Sequence, residues 1–170
     1  MKKLLFLVGL ALLIESPLRA EVPRPSPDFE WVDSTGSAKK SKDLRGHPLV
    51  LLVAPSPNDR TFRAQVAQLQ KIYERFAVEE TLCIAAFSSE PGVIRSNIPF
   101  LTVPNGAATA SAYDAATGFA IAIIGQDGNL DYISNRVVPA QRIFDIIVAT
   151  ILVITAPLLL LLQRRPSGYL

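Results

Sequence analysis

The stretch LVLLVAPSPNDRTFRAQVAQLQKIYERF, residues 49–76, decides the fold. Residues 48–54 are a continuous apolar run, partly β-branched and bounded by prolines. That pattern predicts a strand buried on both faces, as in a parallel sheet. A short loop follows, and Asp59 has the carboxylate that suits a helix N-cap. Phe62, Val66, Leu69, Ile72, Tyr73 and Phe76 then recur at helical spacing. They predict one amphipathic helix, with Arg63, Gln65, Gln70, Lys71 and Arg75 on its wet face.

On the C-terminal side, EETLCIAAFS (79–88) reads as a second buried strand. FAIAIIGQDGNLDYIS (119–134) reads as a hairpin, because the Asp127-Gly128 step lies between two apolar runs. A last helix is expected from about Pro139, since proline suits a first helical turn. The Gly/Pro/Ser-rich stretch 88–109 is expected to hold short helical or irregular pieces, and 110–118 a helical turn or loop. On the N-terminal side, the proline-rich 21–31 predicts an extended lead-in with a short strand at FEWV. Residues 33–48 are rich in turn formers, with one helical turn at 42–46. The order β-α-β, insert, β-β-α predicts an α/β three-layer sandwich around a central mixed sheet.

The two ends read differently. Residues 1–20 have a basic start (Lys2, Lys3), an apolar run and a small residue at Ala20, the pattern of a cleaved signal peptide. Residues 143–162 are mostly apolar with one charge, Asp145, and Arg164 and Arg165 follow. At about 1.5 Å per residue they span about 30 Å, the thickness of a bilayer core. Together these predict an exported domain over 21–142, a transmembrane helix over 143–163 and a short cytoplasmic tail over 164–170. The helix would anchor the chain in the cytoplasmic membrane with the domain facing the periplasm or exterior. The net charge of +2 and the lack of a basic stripe give no sign of a nucleic-acid partner.

These residues resemble a known superfamily. PDFEWVDSTGSAKKSKDLRGHPLVLLVAPSP and GFAIAIIGQDGNLDYIS are similar to the lead-in, first central strand and later hairpin of secreted redoxins and peroxiredoxins, which have the thioredoxin-like fold. More narrowly, the APSP-x-D loop resembles a group of small exported peroxiredoxin-like domains of unknown function, the P-DUDES group. The resemblance implies where a redox site would lie. Asp59 and Phe62 match the C-x-x-C pair, and Phe119 or Ala120 matches the cis-proline. None of these is a cysteine or a proline. Thiol–disulfide exchange proceeds through a thiolate, so it is not expected at this loop.

Other chemistry has little to draw on. The chain has one cysteine and one histidine, which predicts no metal site and no cofactor. Cys83 lies in an apolar run and reads as a small buried hydrophobe. A Ser56–His47 nucleophile pair has only availability in its favour. QDGNLD lacks the closing glutamate of a calcium loop. The expectation is therefore a redox-inactive binding or assembly module with a protein partner. Its candidate contact loop is Pro55, Ser56, Pro57, Asn58, Asp59, Thr61 and Arg63. The alternative is a non-thiol enzyme or small-anion binder using the helix N-terminus that follows the first central strand.

Overall fold

The computed structural model describes residues 24–33 and 35–163, with side chains as far as Leu152. The expected signal peptide and the tail at 164–170 lie outside the described residues.

Seven strands form one sheet: β1 (Glu30–Val32), β2 (Ala38–Lys40), β3 (Leu49–Ala54), β4 (Leu82–Phe87), β5 (Phe100–Thr102), β6 (Ala120–Ile124) and β7 (Leu130–Ser134). Their spatial order is β2-β1-β5-β4-β3-β6-β7. The β3–β4 and β4–β5 pairs are parallel. The β1–β5, β3–β6 and β6–β7 pairs are antiparallel. The sheet is therefore mixed, and every residue of β3, an interior strand between β4 and β6, is buried.

The period of two along β3 sorts its side chains into two cores. Val50, Leu52 and Ala54 face the helices α1 (Arg60–Gln70), α2 (Tyr73–Val78) and α4 (Ala140–Gln163), with Phe62, Leu69, Phe76, Ile143 and Ile147 closing that layer. Leu49, Leu51 and Val53 face the other way, towards Phe29, Trp31 and α3 (Gly106–Ala112). A helix layer on each face of a sheet is the three-layer sandwich expected from the element order. The second layer is tied to the lead-in by Tyr113. Its hydroxyl donates to the Pro27 carbonyl at 3.0 Å and lies 2.6 Å from the Ser26 hydroxyl.

Four local expectations change. The helix after β3 breaks at Lys71 and Ile72 and restarts as α2. The turn-rich stretch before β3 contains β2, which pairs with β1, as well as a 3-10 turn (Ser41–Leu44). The Gly/Pro/Ser-rich stretch 88–109 contains a strand, β5, besides the start of the short helix α3. β5 is only three residues long and exists by pairing with β4 and β1. α3 starts with Asn105 as its cap, accepting the Ala108 N–H. Gly106 is forced there, because a Cβ would overlap the Phe87 backbone.

The fourth change concerns Gln65. Helical spacing predicts it on the wet face of α1, yet it is fully buried. Its amide bonds both backbone groups of Val138, in the link from β7 to α4.

At the C-terminus, α4 runs as one helix from Ala140 to Gln163. Its first turns belong to the domain, since Ile143 and Ile147 have no exposed surface. Among the described residues, no helix is long and apolar enough to cross a membrane. The side chains of the expected span beyond Leu152 lie outside the description.

Candidate functional site

The loop 55–59 leaves the C-terminal end of β3 and turns into α1. Backbone bonds fasten it to the segment after β4. The Ala54 carbonyl accepts from Ser88 N–H at 2.9 Å, and the Pro55 carbonyl accepts from Ser89 and Glu90 N–H, each at 3.0 Å. Within the loop, Asp59 N–H donates to the Ser56 carbonyl at 3.1 Å, and Asn58 N–H donates to Ser56 Oγ at 3.3 Å.

Asp59 is a helix cap. Its Oδ1 accepts from Thr61 N–H at 2.8 Å and from Phe62 N–H at 2.9 Å. Its own carbonyl accepts the first helical bond, from Arg63 N–H at 3.0 Å. The donors that would cradle an exogenous anion are thus already used by a carboxylate of the same negative sign. This geometry works against the small-anion alternative at the α1 N-terminus.

Phe62, at the second matched thiol position, is 1% exposed. Its ring meets Phe87 edge-on at 5.1 Å and Phe100 at 6.3 Å. Phe119 and Ala120, matched to the cis-proline, are also buried, on opposite faces of the sheet. So one matched redox position serves as a helix cap and the others fill the hydrophobic core.

The remaining candidates are kept apart. Cys83 pairs with Val50, towards the far end of β3 from the loop. It is 3% exposed, and burial pushes its thiol up to about 12. Thiolate chemistry needs the opposite shift. His47 precedes β3 and Ser56 follows it. At about 3.3 Å per strand residue, the length of β3 separates them by about 20 Å, so they cannot form a nucleophile pair. His47 instead lies 3.5 Å from Glu80. Asp127 serves the hairpin turn, accepting from Asn129 N–H at 2.9 Å. Among the described residues, no group of three or more metal-ligating side chains comes together.

Beside the loop lies a cleft of about 160 Å³, between α1 and the segment after β4. Pro57, Phe62, Val66 and Ile94 give it apolar lining, and Arg63 and Arg95 are its charged residues. Sequence reasoning named Pro57, Asn58 and Arg63 but missed the wall at residues 93–95. A second cleft of about 210 Å³ lies at the opposite end of β3, lined by Phe29, Arg45, Leu49 and Ile124 among others.

No family model and no curated protein matches the chain. Solved structures do. A candidate thiol:disulfide interchange protein DsbE from Chlorobium tepidum superposes with a TM-score of 0.59 at 13% identity, covering 75% of this chain and 96% of that one. The chain has the thioredoxin-like fold. Peroxidoxin BcpB from Mycobacterium tuberculosis gives a TM-score of 0.52 at 15% identity, covering 78% and 96%. A conserved protein of unknown function from Bacteroides fragilis, BF1870, gives 0.52 at 13%, covering 72% and 95%. Within this thioredoxin-like fold, the loop at 55–62 follows the central strand and opens α1, as the resemblance to redoxins implies.

Proposed function

We propose that the protein is a redox-inactive binding or assembly module on a thioredoxin-like scaffold, exported and held at the cytoplasmic membrane by its C-terminal helix. The observation that carries this reading is what fills the redox positions. Asp59 caps α1 with two backbone bonds, and Phe62 is packed between Phe87 and Phe100. Neither can serve as a thiol, and the single cysteine is buried in the sheet. What is left at this end of the sheet is a fixed loop beside a cleft, which suits binding.

Export and anchoring rest on the sequence. Residues 1–20 have signal-peptide character, and 146–162 carry no charge, are mostly apolar and lead to Arg164 and Arg165. Because Ile143 and Ile147 are consumed by the core, the domain would sit close against the bilayer. The APSP-x-D loop further supports placing the chain with the P-DUDES-type domains.

Turnover of hydrogen peroxide and of a disulfide substrate by the full chain, alongside Cys83→Ala, tests the central point. Neither protein is expected to turn over either substrate. Cys83-dependent turnover would sink the reading. A membrane-confined photoreactive probe tests the anchor, with labelling expected beyond Leu152 and not at Ile143 or Ile147.

A further inference from the structure

The cleft beside the loop is bounded at both ends. At one end Gly92 lies against Pro57, so that a Cβ on Gly92 would come 3.0 Å from the proline ring. At the other, Gln70 donates to Asn97 Oδ1 at 3.2 Å and to Ser96 Oγ at 3.4 Å, pinning the outer wall to α1. Phe62 and Val66 are buried and form the floor. A cavity of ~150 Å³ accommodates one benzene ring, so 160 Å³ admits one aromatic or branched aliphatic side chain.

The rim carries one sign of charge. Arg63 and Arg95 are exposed, and no acidic residue lines the cleft. Among the described residues, neither guanidinium has an ion-pair partner. Val93, 87% exposed, adds an apolar lip.

We infer that this cleft takes an acidic, extended segment of a partner protein. One bulky apolar side chain enters over Phe62 and Val66, and flanking carboxylates meet Arg63 and Arg95. Guanidinium and carboxylate match in a planar, two-point geometry. The apolar contact provides the anchor, and the exposed ion pairs provide selection against basic segments. The inference rests on the module reading and names the partner chemistry for that same site.

The test is fluorescence polarisation of the labelled peptide GEEFEEG titrated with the full chain in detergent, beside GKKFKKG and GEEAEEG. GEEFEEG is expected to bind best and to weaken as salt is raised. Arg63→Gln and Arg95→Gln should each weaken it by about 1.4-fold to fivefold, as removal of an exposed ion pair does. The double reversal Arg63→Glu, Arg95→Glu should favour GKKFKKG, with the unfolding temperature unchanged. Equal binding of GEEFEEG and GKKFKKG, or of GEEFEEG and GEEAEEG, overturns the inference, as does indifference to the double reversal. A photocrosslinker at Asn58 in the native membrane separates the two levels. A defined adduct combined with failure of the acidic peptide removes this inference and leaves the module reading standing.

Discussion

Gln65 and Val138 hold each other at two points. Val138 N–H donates to Gln65 Oε1 at 2.7 Å, and Gln65 Nε2 donates to the Val138 carbonyl at 3.1 Å. The pair is buried and joins the middle of α1 to the chain entering α4. Gln68 Oε1 continues the seam by accepting Ala140 N–H at 3.3 Å. The helix that makes one wall of the cleft is thereby locked to the helix expected to reach the membrane.

Replacing Gln65 with leucine leaves a buried donor and a buried acceptor of Val138 without partners. Each such group costs about 1–3 kcal/mol, so Gln65→Leu should lose about 2–6 kcal/mol in total. Urea denaturation checks this, with the midpoint expected to fall. A loss below about 1 kcal/mol would mean that the seam contributes little.

Gly106 and Gly118 make a matched pair of tests. A Cβ at Gly106 would run into the Phe87 backbone, whereas one at Gly118 meets nothing within 4 Å. Gly106→Ala should cost at least about 2 kcal/mol, in the range of overpacked sites. Gly118→Ala should be neutral in the same thermal melt.

Asp131 and Asp33 predict opposite pH behaviour. Partial burial raises the Asp131 pKa, with a Thr150 hydrogen bond opposing and the Asp127 charge adding to the rise. Its stabilising contribution is therefore complete below the unfolded pKa and lost as pH rises through the folded one. Asp131→Asn should raise the unfolding temperature near pH 7 and have little effect near pH 3.

The Asp33 carboxyl is held well below the usual carboxylate range, chiefly by the Thr35 hydroxyl, then Lys39 and the Ser37 backbone. Its contribution is present above the unfolded pKa and lost as pH falls through the folded one. Asp33→Ala should thus destabilise the chain near pH 7 and lose that effect in acid. A reversed pH trend in either melt would show the assigned surroundings to be wrong.

Cys83 should resist iodoacetamide in the folded protein at pH 8. Its thiol is pushed up to about 12 and the side chain is almost wholly enclosed. Mass spectrometry should find modification only at the rate of unfolding, and prompt modification in urea. Fast labelling of the native chain would restore Cys83 as a reactive group.

Much of this was legible in residues 49–76 and 119–134. The apolar run of β3, the Asp59 cap, the helical spacing to Leu69 and the Asp127-Gly128 turn are local signals, each set by a few neighbouring residues. They determined the fold class and showed that the loop has no thiol. The tertiary structure decided what depends on contacts distant in sequence. β5 is a strand because β4 and β1 border it. Gln65 is buried because Val138 crosses α1. Arg63 and Arg95 share one cleft because Gln70 reaches Ser96 and Asn97. The sequence could place Asp59 and Phe62 where two thiols would be. Only the folded chain shows the Asp59 carboxylate held by the Thr61 and Phe62 N–H groups and the Phe62 ring packed against Phe87 and Phe100, since burial and hydrogen-bond partnership belong to the tertiary structure.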